Sequence, residues 1–203
     1  MQGGYAGNNW GQDVYALDAT HPGASAYLHE VFSTLHGYGF DFFKIDFLYA
    51  GAVDGPRHDG GTGIEAYQQG LRTIRSAIGD SYLLGCGAPI LPSAGLVDAM
   101  RVSTDVSPHF EAAPHDPTGP SQRAAAMSGA ARAWQQGRFW VNDPDCLLAR
   151  PAVERREEWA TYVERYGGLR GSSDRLRDLD DWGLETTRWL LTDVPPPTPF
   201  AAD

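Results

Sequence analysis

The chain has 203 residues, 42% hydrophobic and 11% aromatic, enough for one good-sized domain with a real core. Its net charge is −10, with Lys and Arg scattered and never clustered, which argues against nucleic acid and anionic membrane surfaces as partners. No apolar run approaches ~18 residues, so no spanning helix is expected, and the polar, Gly-rich N-terminus lacks a signal-peptide core.

Residues 1–18 are rich in Gly and Asn and predict a surface loop with one short extended piece at 14–17. Thr20 and Pro22 look like a helix start, and Tyr27, Leu28, Val31, Phe32 and Leu35 then recur at helical spacing until Gly37. A near-continuous apolar run at 42–48 has the character of a strand buried on both faces. A polar, Gly-rich loop with Asp54, Arg57 and His58 follows. Ile64, Tyr67, Leu71, Ile74 and Ile78 make one helical stripe, closed by Gly79. Short strands are predicted at 81–85 and 97–102, the first running into Cys86-Gly87-Ala88-Pro89 and the second into Ser103-Thr104-Asp105.

A loop with three prolines spans 108–119, and an Ala-rich helix from Pro120 to Gly137 is expected to carry Met127, Ala130, Ala131 and Trp134 on one face, with Trp134 in the core or an interface. A brief strand at 139–141 leads into Asn142-Asp143-Pro144-Asp145. Pro151 opens a helix with Val153, Tyr162, Val163 and Tyr166 inward. Ser172-Ser173-Asp174 offers caps for a last helix that reaches Leu191 past Gly183, and the acidic run 178–181 is expected to be its solvated face. Residues 1–194 thus form the domain, and the Pro-rich 195–203 a stiff tail or linker. Strand and helix alternate about five times with no hairpin signal, which means parallel strands and βαβ units.

Lys44 and Asp46 interrupt the strand at 42–48, and being two apart they point to the same face. Charges there are costly without partners or a ligand, although the C-terminal end of a parallel strand is where barrels place their chemistry. A buried structural ion pair would explain the same two residues. Asp105 ends a second strand, 59 residues on (105 − 46), which puts about two βα units between them. Two carboxylates facing one cavity suit glycoside hydrolysis, with Lys44 beside Asp46 and Arg101 four residues before Asp105 as tuning groups. The six histidines and two cysteines (Cys86, Cys146) never fall at metal-ligand spacing. Reduced thiols fit a cytoplasmic protein. No phosphate loop or dinucleotide fingerprint occurs. Cys146 is expected in the core, Trp140 at a strand end where it could stack on a sugar, and Asp98 as a cap or salt-bridge partner.

Phe42-Phe43-Lys44-Ile45-Asp46-Phe47-Leu48 resembles the nucleophile segment of bacterial α-galactosidases of the melibiase-like kind. Met100-Arg101-Val102-Ser103-Thr104-Asp105 is similar to their acid/base segment. Gly85-Cys86-Gly87-Ala88-Pro89 and the segment from Trp140 to Leu148 resemble two more, in the same order. The resemblance implies a (β/α)8 barrel and retaining hydrolysis of terminal α-galactosides without metal or organic cofactor. Asp46 would be the nucleophile and Asp105 the acid/base. Lys44 and Arg101 would bind sugar hydroxyls, Cys86 and Gly87 would line the galactose pocket, and Asp143 and Asp145 would brace its rim. Retention requires the two carboxyl groups ~5–5.5 Å apart.

About five of eight βα units are expected here, the last five of such a barrel. An incomplete barrel leaves two strand edges, which favours self-association or pairing with the missing N-terminal half. A fragment of low activity is therefore expected. The alternatives are a non-catalytic remnant that binds sugar weakly or serves as an interaction module, and an enzyme acting on the N-acetylated sugar.

Overall fold

The computed structural model describes residues 2–9 and 11–200. Of the N-terminal stretch and the Pro-rich tail, Met1, Trp10 and residues 201–203 lie outside the described residues. The chain divides into two compact units, residues 1–98 and 99–203. Among the described residues no helix is long and apolar enough to cross a membrane.

The first unit begins with a hairpin where a loop was expected. Strands β1 (Gln2–Asn9) and β2 (Gln12–Leu17) pair antiparallel, from Gln2 opposite Leu17 to Asn9 opposite Gln12. Gly11 supplies the left-handed φ of +73° beside the turn. Gly7 likewise has a positive φ of +128°, whereas Gly3 and Gly4 serve close packing, which also reads as loop. A Cβ on Gly3 would lie 2.3 Å from Nη1 of Arg57, and one on Gly4 would lie 2.1 Å from the Asp54 carbonyl. Arg57 is buried and donates to the carbonyls of Val53 (2.5 Å) and Gly51 (3.3 Å). Asp18, also buried, accepts from the Thr20 hydroxyl (2.7 Å) and the His58 backbone N–H (2.8 Å). These bonds outweigh the burial that opposes them, so its carboxyl stays below the usual range.

Helix α1 (Pro22–Gly37) starts on His21, whose side chain accepts from the Gly23 N–H, rather than on Thr20. Strand β3 (Phe42–Ile45), helix α2 (Gly63–Ile78) and strand β4 (Tyr82–Gly85) then form a parallel βαβ unit, with Phe42 opposite Tyr82 and Ile45 opposite Gly85. Thr62 and Glu65 close a reciprocal capping box on α2. Tyr67, Leu71, Ile74 and Ile78 of the expected stripe are buried, whereas Ile64 is exposed. Asp98 accepts from Arg75 (2.6 Å) and from the Leu83 backbone (2.8 Å), the partner role expected of it. A short helix α3 (Ile90–Ser93) follows β4.

The second unit repeats the pattern. Strand β5 (Ala99–Arg101), helix α4 (Gln122–Ala131) and strand β6 (Val141–Asp143) make a parallel unit with Arg101 opposite Asp143. Strand β7 (Cys146–Leu147), helix α5 (Arg156–Tyr166) and strand β8 (Gly171–Ser172) make another. Helix α6 (Asp181–Thr192) closes the series. Its cap is Asp180, not the 172–174 segment, and Arg156 grips the same carboxylate at 2.9 and 2.8 Å. That pairing holds the Asp180 carboxyl below the usual range, so 178–181 is not simply a solvated face.

The core of this unit gathers Leu147, Leu148, Trp159, Val163 and Leu190 around α5. Helix α4 turns Ala125 and Gly129 inward and leaves Met127 63% exposed; Trp134, in a 3-10 turn beyond the helix end, is 52% exposed rather than in the core. A Cβ on Gly129 would stand 1.7 Å from the Tyr162 hydroxyl, so the small residues admit α5. The Pro-rich segment packs rather than trails. Thr198 lies where a Cβ of Gly137 would be, and the Phe200 ring meets Tyr166 edge-on.

Five strands, or strand pairs in the case of β6 and β7, are each followed by a helix, α2 through α6. This is an incomplete parallel (β/α) barrel, with the parallel βαβ units that the alternation predicted and the barrel that the resemblance implied; the described strands are too few to close an eight-stranded ring.

Candidate active site

In the first unit the candidate residues stand at the C-terminal ends of β3 and β4. Alternation puts Phe42, Lys44 and Asp46 on one exposed face, with Phe43 buried on the other. The Asp46 carboxylate accepts from the Phe47 N–H at 2.7 Å, and no Lys44–Asp46 ion pair forms among the described residues. Phe47 takes a left-handed backbone, φ +54°, a conformation that costs a non-glycine residue on the order of 1 kcal/mol or more. The strand ends are stapled around this kink. Cys86 N donates to Ile45 O (2.9 Å), Leu48 N to Cys86 O (3.3 Å) and Tyr49 N to Gly87 O (2.7 Å). Cys86 is 5% exposed, so its backbone shapes the site more than its thiol does. Gly87 has φ +55°, and a Cβ there would touch Asp46 Oδ1 at 3.5 Å. Asp46, Cys86 and Gly87 are therefore neighbours.

In the second unit Arg101 is the hub. Its guanidinium is buried and meets Asp105 Oδ1 at 2.6 Å and Asp145 Oδ2 at 3.3 Å, while Nε donates to the Ser103 hydroxyl at 3.2 Å. Asp145 accepts from the Val106 N–H (2.8 Å), and its own N–H donates to Asp143 Oδ1 (2.9 Å). The Asp-Pro-Asp turn thus fixes the segment carrying Asp105 through Arg101. The roles of Ser103 and the Val106 amide as partners were not legible in the sequence, where a serine in a motif and a backbone N–H carry no such signal. Asp105 itself reaches outward, its side chain 72% exposed.

Trp140 does not reach this face. It is 4% exposed and packs its ring on Phe139, because it neighbours Val141, whose alternate position shares the face of Asp143. Its indole N–H finds no hydrogen-bond partner among the described residues. Cys146 lies half-buried at the edge of the core, and burial pushes its thiol up.

No family model matches the chain. Among solved structures, an α-galactosidase from Thermus thermophilus bound to p-nitrophenyl α-D-galactopyranoside superposes with a TM-score of 0.81 and 30% identity over 95% of this chain. The same enzyme bound to stachyose gives 0.77 and 31% over 93%. The chain resembles part of an α-galactosidase. It spans 41% of the length of those Thermus chains. α-Galactosidase I of Mortierella vinacea shares the fold at 17% identity, with a TM-score of 0.60 over 92% of this chain and 50% of its own. The Thermus structures agree with the resemblance read from the four motifs, since the similarity to them runs through nearly all of the sequence that contains those motifs.

Proposed function

We propose that the chain carries the catalytic residues of a retaining glycoside hydrolase acting on terminal α-D-galactosyl residues. Asp46 attacks the anomeric carbon; Asp105 protonates the departing oxygen and then takes a proton from the water that releases the sugar. Lys44 and Arg101 bind sugar hydroxyls, with Arg101 also orienting Asp105. The backbone at Cys86 and Gly87 lines the galactose site.

The observation that carries this reading is the similarity, at 30–31% identity, to an α-galactosidase whose bound ligands are α-galactosides. The position of both aspartates just past the C-terminal ends of parallel strands supports it. Opposite protonation of two carboxyl groups needs an enclosed, differentiated environment. Asp46 is exposed and the Asp105 side chain is 72% exposed, so slow turnover by this chain alone is expected.

Trapping tests the assignment without requiring fast turnover. An activated fluoro-α-galactoside, incubated with the chain and followed by peptide mass analysis, should label Asp46, and Asp46→Asn should abolish the label. Proton NMR of the first product of an aryl α-galactoside should show the α-anomer. A label elsewhere, or β-galactose appearing first, counts against the proposal.

A further inference from the structure

The first unit contains a cavity of about 290 Å³ between its two long helices and the end of β3. Helix α1 supplies Leu28 and Phe32 to the wall, α2 supplies Leu71 and Ile74, and β3 supplies Ile45, on the face opposite Lys44. Leu71 and Ile74 are buried and form the floor. Tyr15 and Phe47, 47% and 40% exposed, stand at the mouth. No charged side chain is among the lining residues. Of the polar groups there, the Tyr67 hydroxyl shares a hydrogen bond with Ser93 Oγ (2.6 Å), and the Gly51 carbonyl accepts from Arg57 (3.3 Å).

That lining decides what can enter. A buried water needs about two to four polar partners, which this wall does not offer. A charged ligand would give up its hydration without meeting a counter-charge. A partner helix, about 10–12 Å across with its side chains, is too wide for the space. A small neutral ring fits on every count: an apolar cavity of roughly half this volume stays dry and binds benzene. Phe32 and Phe47 add aromatic faces and edges for such a ring to pack against.

We propose that this cavity is a binding site for small neutral aromatic molecules of one or two rings. Phe47 ties it to the strand end, standing at the mouth while its N–H donates to the Asp46 carboxylate (2.7 Å). An occupant also supplies the contacts that α1 lacks on its inner side, so occupancy and the opening of α1 exclude each other. The site stands independently of the role proposed for Asp46.

Benzene is the probe, and benzoate, the same ring carrying a charge, is the control. The whole isotope-labelled chain is titrated with each and followed by NMR. Benzene should bind and move the amide resonances of Phe47 and α1, while Val163 in the second unit stays in place. Benzoate should bind about tenfold more weakly or not at all. At roughly ten times the dissociation constant of benzene, the α1 amides should exchange about tenfold more slowly, as linkage requires of a ligand expelled on opening. Leu28→Trp fills the cavity and should abolish benzene binding, with circular dichroism checking its fold. Should it not fold, Ala66→Leu fills the same space from α2 with the same expectation. Met127→Ala, on the exposed side of α4, should bind as wild type does. Absence of benzene binding, undiminished binding in the filled variant, or equal binding of benzoate overturns the proposal. Protection of α1 that follows protein concentration rather than benzene would assign the cavity to a second copy of the chain, and overturns it as well.

Discussion

At the scale of residues, the second unit concentrates its electrostatics on Arg101. A buried guanidinium is tolerable only with its charge balanced and its donors used, and Asp105, Asp145 and Ser103 do both. The two carboxylates differ in exposure, 72% for the Asp105 side chain against 14% for Asp145. Removing the arginine therefore costs mainly through Asp145, left in a poorly solvated place. Arg101→Met should lower unfolding free energy by about 3 kcal/mol, the lower end for breaking a buried pair. The double variant Arg101→Met/Asp145→Asn should recover part of that loss. Denaturant titration measures both, and a double variant less stable than the single one would show that the cost lies elsewhere. The sequence pointed to Arg101 and Asp105 as a pair because they stand four apart at a strand end. The third member was assigned only to bracing, because nothing in Asp143-Pro144-Asp145 says that a distant arginine will reach it.

At the scale of elements, periodicity located the helices better than it chose their faces. The stripe on α2 was correct from Tyr67 to Ile78, where large residues recur and bury. On α4 large residues were taken for the core, yet the helix meets α5 through Ala125 and Gly129. Backbone proximity, invisible to hydrophobic counting, decides that contact. Gly129→Ala makes the point measurable. In an exposed helix the exchange would gain roughly 0.5–1 kcal/mol, but here the methyl would stand 1.7 Å from the Tyr162 hydroxyl. Overpacking of this kind costs about 1–3 kcal/mol, so a net loss is expected in thermal unfolding. Adding Tyr162→Phe should restore most of the loss, since it removes the clashing oxygen. A stabilised single variant would mean that α4 and α5 sit further apart. The hairpin β1–β2 was missed for a related reason: Gly3, Gly4 and Gly55 signal close backbone approach as readily as they signal loop.

At the scale of the whole chain, the strand–helix alternation was enough for parallel βαβ units and the barrel followed from the resemblance, but neither says how well each unit is packed. The second unit has a continuous buried cluster around α5, with Val163 and Leu147 fully enclosed. The first unit keeps only Ala24 of α1 fully buried and leaves Tyr27, Tyr38, Phe40 and Phe42 between 47% and 75% exposed. It also contains an apolar cavity of about 290 Å³ between Leu28 and Phe32 on α1 and Leu71 and Ile74 on α2. A side chain facing a cavity forfeits contact on one side, so the helix carrying it opens at smaller cost. Native-state hydrogen exchange should therefore show the amides of α1 exchanging ahead of those of α5, by at least tenfold under conditions where both are hydrogen-bonded. Phe32→Ala should correspondingly cost less than the ~3–5 kcal/mol usual for a core phenylalanine, whereas Val163→Ala should show the full penalty of a packed site. Equal protection of the two helices would mean that the exposed aromatic face of the first unit is covered in solution, and sedimentation across a range of concentrations would then reveal the association that covers it.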